Sequence, residues 1–111
     1  MGSALMAGPG AAASALGQWV VADGSARIAI QSCGSALCGT VLTSSTAAHR
    51  GMTILRQMKP DGDDRWVGTI LDPRTGSIYH SKMTLQGNRL RVQGCVAGGL
   101  ICGGQSWTRA Q

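Results

Sequence analysis

The sequence predicts an all-β domain, specifically a small antiparallel up-and-down β-barrel of about eight strands. From Trp19 onward, short runs rich in Val, Ile, Thr, Trp and Tyr alternate with clusters of Gly, Asp, Asn, Pro and Ser. Such runs are typical of strands, and such clusters are typical of turns. The predicted strands span residues 18–22, 26–32, 38–44, 52–59, 65–71, 77–85, 89–95 and 101–109.

Short turns indicate that neighbouring strands run antiparallel. Turn dipeptides that tolerate positive φ angles occur at Asp23-Gly24, Asp61-Gly62 and Gly87-Asn88. An open eight-stranded sheet would expose two edges, and closure into a barrel removes them. Glycines within or beside the strands let the chain bend, which favours closure. These glycines are Gly39, Gly68 and Gly94.

The alternation of apolar and polar residues identifies the strand faces that point into the barrel. Successive side chains of a strand point to opposite faces, so residues two apart share an environment. The residues expected to point inward are Ile28, Ile30, Leu90 and Val92, together with Tyr79, Ser81, Met83 and Leu85 of the sixth strand.

Length and charge indicate one basic domain. The chain has 111 residues, and residues 17–111 are predicted to form a single β-barrel domain. Lys and Arg total 10 against 5 acidic residues, which gives a net charge of +5. This balance favours loose attraction to anionic lipid, acidic glycans or nucleic acid, and it does not choose among them.

Residues 1–16 are predicted to be a disordered remnant of a signal peptide or a leftover of cloning. Residues 1–22 carry no charged side chain, and the small residues near Ala15 resemble the cleavage region of a secretory signal. A membrane-spanning helix is the alternative, but Gly8, Pro9 and Gly10 interrupt a tract that is already short for a bilayer. We therefore expect a secreted or periplasmic protein that is not integral to the membrane.

Four cysteines bracket two predicted hairpins, and we expect them to form disulfides. Cys33 would pair with Cys38, and Cys95 with Cys102, although four cysteines allow three connectivities. Each loop closure would stabilise the fold by roughly 2 to 2.5 kcal/mol. Zinc binding is an alternative, but paired zinc ligands usually lie about two to four residues apart. Free thiols are the other alternative.

The chain is poor in the groups that an enzyme needs, so no catalytic residue, metal or cofactor is predicted. It contains no Glu, and its two histidines, His49 and His80, are expected in a loop and on the outer side of a strand. Weak calcium binding is an alternative use of Asp61, Asp63 and Asp64, yet their spacing differs from that of a calcium loop.

Two short motifs lie at the ends of the predicted barrel: Gly-Gln-Trp at residues 17–19 opens the first strand, and Trp-Thr-Arg at residues 107–109 closes the last. These motifs resemble the lipocalin and wider calycin pattern. In that pattern an early Trp lies across the closed end of the barrel and a late Arg packs over it. The resemblance implies a lipocalin-like barrel in which Trp19 and Arg109 form a cation–π lid, worth about 1 to 2 kcal/mol.

A longer series of motifs occurs in one order along the chain, at residues 23–24, 33–39, 66–68, 72–79, 90–94 and 105–109. This series resembles the bacterial secreted family catalogued as domain of unknown function 2147. This chain departs from the family in a shorter segment after Val41 and in the Cys95 and Cys102 pair of the last hairpin. Because the family has no agreed activity, the resemblance implies a fold and no reaction.

Aromatic and sulfur-containing side chains are the candidates for lining a ligand pocket, because eight-stranded barrels are just wide enough for one small ligand. The candidates are Trp66, Tyr79, Met52, Met58, Met83 and Trp107. The alternative is that these side chains fill the interior completely.

The sequence therefore favours a non-enzymatic, monomeric barrel that binds a small apolar or amphipathic ligand. The alternative is an envelope docking protein with a filled core, whose basic outer face binds a partner or an anionic envelope surface. Nucleic acid is not an expected partner, because one Tyr, three Trp and no Phe supply few stacking platforms.

Overall fold

The computed structural model describes residues 14–110 and confirms a closed barrel of eight antiparallel strands. The strands are β1 (Gly17–Val20), β2 (Ala26–Cys33), β3 (Ala36–Ser44), β4 (Thr53–Pro60), β5 (Arg65–Leu71), β6 (Ile78–Gln86), β7 (Arg89–Val96) and β8 (Ile101–Arg109). Each strand pairs with its neighbour in sequence, and β8 pairs with β1. Short 3-10 turns, Ala47–His49 and Ala97–Gly99, lie in the β3–β4 and β7–β8 connections. Within residues 14–110, no helical segment is long and apolar enough to cross a membrane.

The inward side chains of the strands form one core. Most of the residues predicted to point inward are buried, namely Ile28, Ile30, Ser81, Met83, Leu85, Leu90 and Val92. They pack with Trp19, Leu55 and Met58, each of which is fully enclosed. Burial of one such side chain stabilises the fold by about 1.5 to 3 kcal/mol. Tyr79 is only half-buried, because it lies where the barrel wall surrounds an open cavity.

Because consecutive strands run in opposite directions, their connections alternate between the two ends of the barrel. The β2–β3, β4–β5 and β6–β7 turns lie at one end, together with Ser14 and Ala110, where the described chain begins and ends. We call this the closed end. The β1–β2, β3–β4, β5–β6 and β7–β8 connections lie at the other, which we call the open end.

Residues 14–16 cross the closed end and connect it to the last strand. The indole N–H of Trp19 donates to the carbonyl of Ala15 at 2.9 Å. The Arg109 guanidinium donates to the carbonyls of Leu16 and Ser14, each at 2.9 Å. The same guanidinium carbon lies 4.3 Å from the centroid of the Trp19 ring. Arg109 therefore holds the N-terminal crossing and the Trp19 ring together.

This packing corrects the predicted boundary of the disordered N-terminal segment. The sequence places the end of that segment at residue 16, whereas Ala15 is 1% exposed in the structure. Ala15 is ordered because its carbonyl is the acceptor for the buried Trp19 indole, a donor that needs a partner once it leaves water. Residues 1–13, where the signal-peptide remnant is predicted, lie outside the described residues.

Both predicted disulfides are present. Cys33–Cys38 joins β2 to β3 at the closed end, and Cys95–Cys102 joins β7 to β8 towards the open end. The disulfides exclude the zinc and free-thiol alternatives for these residues. Each bond closes a hairpin of neighbouring strands, so it constrains the unfolded chain without linking distant parts of the fold.

A bulge in β4 brings its backbone close to β5. The pairing of the two strands shifts register between Arg56 and Lys59, and Gln57 has a positive φ of 49°. Bulges of this kind bend a strand and increase its twist. A Cβ atom at Gly68 would lie 2.6 Å from the Gln57 carbonyl oxygen, so the bend requires glycine at that position.

Candidate functional site

A cavity of about 430 Å³ lies inside the barrel at its open end, and we call it the open-end cavity. Its apolar wall includes Ile28, Val41, Ile54, Ile70, Val92 and Trp107. Its rim is polar and includes Asp23, Ser25, His49, Asp72 and Arg74, which come from three of the open-end connections. An apolar chamber with a few polar groups at its mouth is the usual form of a small-molecule site.

Two ionised carboxylates and one guanidinium are on the rim. Arg74 bonds the carboxylate of Asp72, with Nη2 3.1 Å from Oδ2 and Nε 3.2 Å from Oδ1. The hydrogen bond from the Arg74 side chain is the main cause that lowers the pKa of Asp72 below its ordinary value. Hydrogen bonds from the side chain and backbone of Ser25 lower the pKa of Asp23. Both carboxylates are therefore charged at neutral pH.

Trp107 carries a buried polar group without an acceptor in residues 14–110. The side chain is 2% exposed and lies in the wall of the open-end cavity, and its Nε1 has no hydrogen-bond partner there. The other such group is the Ser81 hydroxyl. A buried donor left unsatisfied costs about 1 to 3 kcal/mol. The Nε1 atom is itself buried from solvent, so the cavity borders other atoms of the Trp107 side chain.

The structure divides the predicted pocket-lining residues into two groups. Tyr79 and Trp107 line the open-end cavity. Met58 and Met83 are buried in the core, while Met52 and Trp66 are partly buried against it, and none of these four belongs to the cavity lining. Met58, Met83 and Trp66 lie towards the closed end, where the barrel is filled, whereas Met52 lies at the open end beside the hollow part without lining it.

Sequence reasoning missed most of the cavity wall, although it identified several of its residues as inward. The sequence predicts Ile28 and Val92 in the interior, and nothing in their spacing distinguishes a filled layer from a hollow one. Small side chains on inward positions are only a partial signal, because glycine occurs on such positions in the filled half as well. Gly94 and Gly103 lie in the lining, whereas the filled half holds Leu55, which occupies the space beside Gly39.

The remaining candidate groups are dispersed. His49 is half-buried on the cavity rim, and His80 is exposed on the outer side of β6, opposite Cys95. Asp61, Asp63 and Asp64 are exposed at the β4–β5 turn. In the part of the chain that the structure describes, no three His, Cys, Asp or Glu residues are grouped closely enough to hold a metal ion.

Fold and cavity together define the class of protein, a small eight-stranded antiparallel barrel with one sealed end and one open, chambered end. Residues 17–109 match the family described as "Uncharacterized protein conserved in bacteria (DUF2147)". The chain belongs to this family. No curated protein and no solved structure shows a significant match to it.

Proposed function

We propose that the protein is a secreted or periplasmic binding module that takes one small amphipathic molecule into the open-end cavity. The observation that carries the proposal is the cavity of about 430 Å³, with an apolar wall and a polar mouth. Ligand pockets in proteins usually measure about 300 to 1,000 Å³. The cavity therefore has room for one short apolar chain, and not for a larger lipid in full.

The apolar wall and the polar rim of the open-end cavity indicate how the ligand would be oriented. The apolar tail would lie against residues such as Ile28 and Val92, because burial in an apolar chamber removes its surface from water. The Trp107 side chain, which also lines the cavity, would contact the same tail. The polar head would remain at the mouth, near Asp23 and Asp72.

The charges on the rim favour a neutral or cationic head. Arg74 is already bonded to Asp72, so its positive charge is largely compensated. The carboxylate of Asp23 has no such cationic partner among residues 14–110. An anionic head would therefore meet two carboxylates and one compensated guanidinium among the lining residues, although the protein as a whole has a net charge of +5.

The two disulfides support a location outside the reducing cytosol. Disulfides persist in secreted and periplasmic proteins and are rare where glutathione keeps thiols reduced. A carrier in such a compartment would meet amphipathic molecules released from membranes.

Titration of the tryptophan fluorescence with decylamine and decanoate tests the proposal. We expect saturable binding of one decylamine per chain and weaker binding of decanoate, because the rim carboxylates repel the anionic head. Gly94→Leu should weaken decylamine binding at least about tenfold, since its side chain would project from the cavity wall into the space of the tail.

Gly94→Ala is the matched control for this variant. A Cβ atom at position 94 would lie 3.4 Å from Ile70 Cγ2 and 3.7 Å from the Tyr79 Cβ, which is ordinary contact. The control should therefore bind decylamine nearly as well as the native protein. Unchanged fluorescence with both probes, or equal binding by Gly94→Leu and the native protein, contradicts the proposal.

The second candidate function is docking to an anionic envelope surface. Two neighbouring cationic side chains on the outer face of the barrel favour it. Lys82 lies between Val67 and Gln93 on neighbouring strands, and Arg91 is its diagonal neighbour on β7. Both cationic side chains are exposed. Two positive charges this close attract anionic head groups, and salt weakens that attraction.

Retention on phosphatidylglycerol vesicles tests this candidate. If docking is the function, retention falls as salt is raised, and Lys82→Ala with Arg91→Ala reduces it several-fold. Arg27→Ala with Arg56→Ala removes the same charge from other strands of the barrel and serves as the control. Equal losses in both double variants would mean that net charge, rather than this face, causes the retention.

A further inference from the structure

A cluster of exposed apolar side chains lies at the open end of the barrel. Within residues 14–110, seven large apolar side chains are exposed, and the four most exposed lie at this end of β6, β7 and β8. They are Leu100 (87% exposed), Ile101 (65%), Ile78 (56%) and Val96 (46%). We call these four residues the apolar tip.

The four side chains of the apolar tip are neighbours. Val96 pairs with Ile101 across the β7–β8 ladder, and Leu100 directly precedes Ile101. Ile78 and Val96 line the same groove on the outside of the barrel. A continuous exposed apolar surface usually marks a site of interaction with a protein or a membrane. The apolar tip is therefore a candidate docking surface.

A disulfide holds the apolar tip in shape. The Cys95–Cys102 bond joins the residue pair next to Val96 and Ile101 in the β7–β8 ladder. The bond fixes the end of this hairpin before any partner arrives. Because less conformational freedom is lost on binding, a braced hairpin has a smaller ordering cost than a flexible loop.

The strands that carry the apolar tip also carry most of the net charge. Residues 78–109 contain four cationic residues and no acidic residue, namely Lys82, Arg89, Arg91 and Arg109. Residues 17–71 contain five cationic and four acidic residues, so their charges nearly cancel. Anionic lipid head groups attract a surface of this kind, whereas a second copy would bring like charges to it.

The spacing along β6 suits a membrane surface. Ile78 and Lys82 lie on the same outer face of β6, four residues apart. That separation is about 13 Å along the strand, and the polar region on one side of a bilayer is about 5 to 8 Å deep. The long stem of a lysine side chain bridges the difference. Lys82 can therefore reach the head groups when Ile78 lies at the edge of the acyl region.

We propose that the protein docks on an anionic lipid bilayer through the apolar tip, which enters the bilayer interface while Lys82 and Arg91 contact the head groups. The inference rests on the docking function and adds insertion of apolar side chains to the attraction between charges. It does not depend on the ligand that the cavity takes. Because the tip and the cavity mouth share the open end, docking would hold the mouth beside the membrane.

The turn of the hairpin limits the depth of insertion. Residues 97–99 form a short 3-10 turn whose peptide groups are outside the β7–β8 ladder. Peptide groups without a partner are costly in the hydrocarbon core of a bilayer. The apolar tip would therefore stop at the boundary between head groups and acyl chains, as interfacial elements do.

Sedimentation of the full chain with phosphatidylglycerol vesicles at about 1 M salt tests insertion, because the Debye length there is only about 3 Å and exposed charges are largely screened. The native protein should still be retained. Leu100→Ser with Ile101→Ser should lower its partition at least about tenfold, since two aliphatic side chains no longer leave water. Leu16→Ser with Leu42→Ser removes two exposed aliphatic side chains elsewhere and should partition like the native protein.

Nanodiscs of phosphatidylglycerol with a spin-labelled lipid give a readout that needs no variant. Amide NMR signals of residues 97–101 should broaden, while those of residues 33–36 at the closed end stay sharp. Broadening of both segments to the same degree would overturn the proposal.

The vesicle experiment separates insertion from docking by charge alone. Retention at low salt that requires Lys82 and Arg91, with equal partition of the tip variant and its control, would leave the docking function standing and overturn insertion. Absence of retention at every salt concentration would contradict the docking function and insertion together. Self-association through the tip in place of vesicle binding would also overturn the proposal.

Discussion

Trp19→Ala is expected to destabilise the protein by about 3 to 5 kcal/mol, the largest loss of stability that we predict for a single substitution. The Trp19 side chain is 0% exposed and occupies the centre of the closed end. Its removal leaves a cavity, deprives the Ala15 carbonyl of its donor, and removes the ring beneath Arg109. Since domains of this size are stable by about 5 to 15 kcal/mol, the variant should retain little of its stability.

Urea unfolding followed by far-ultraviolet circular dichroism measures this effect without relying on tryptophan emission. Trp66→Ala is the matched control, because Trp66 is partly buried at the margin of the core. Its loss should reduce the unfolding free energy by clearly less than the loss of Trp19. If Trp19→Ala and Trp66→Ala lost the same unfolding free energy, the closed end would not be the most stabilising part of the fold.

Gly68→Ala is expected to be the second most damaging change, at about 1 to 3 kcal/mol or more. A Cβ atom there would lie 2.6 Å from the carbonyl oxygens of both Arg56 and Gln57, and 2.8 Å from Met58 Sδ. The Met58 side chain has some freedom to move, but the two carbonyls belong to the β4 backbone at its bulge. Relief of the clash would require β4 and β5 to separate.

Gly94→Ala again supplies the control, because it adds the same methyl group to a neighbouring part of the barrel wall. Gly68 and Gly94 flank Ser81 on either side in the sheet register. At Gly94 the nearest atom is 3.4 Å away, so the alanine fits. The unfolding free energy of this variant should stay within about 1 kcal/mol of the native value. If Gly68→Ala is equally mild, the β4 bulge is less rigid than its contacts imply.

Most of the fold was accessible from the sequence because it depends on local patterns. The turn dipeptide Gly87-Asn88 and the alternation of Leu90 and Val92 each act over a few residues, and the structure has both the turn and the buried face there. The hairpin disulfides were also predictable from local sequence, since Cys33 and Cys38 are only five residues apart.

The cavity was not accessible in this way, because it depends on groups distant in sequence. The closed end is sealed where Arg109 reaches the Ser14 carbonyl, 95 residues away. No periodicity in the sequence reports which end such a contact will seal. Met58 and Met83 fill the interior near the sealed half, while small residues such as Gly94 leave the other half open.

The short pairing between β1 and β8 was also invisible to pattern analysis. The residues of β8 read as one continuous strand, and its pairing with β7 is indeed continuous. Whether β1 follows β8 along its whole length depends on where β1 ends, and the structure ends it at Val20. β8 therefore extends well past the end of β1.

The indole region of the proton–nitrogen NMR spectrum, recorded while decylamine is added, tests the central proposal most directly. Trp107 lies in the cavity wall, so a bound alkyl chain would change the surroundings of its indole, whereas the Trp19 indole bonds to Ala15 at the sealed end. We predict that the Trp107 signal shifts progressively to saturation and that the Trp19 signal stays in place. A Trp107 signal that does not move, or a Trp19 signal that moves as far, would contradict binding in the open-end cavity.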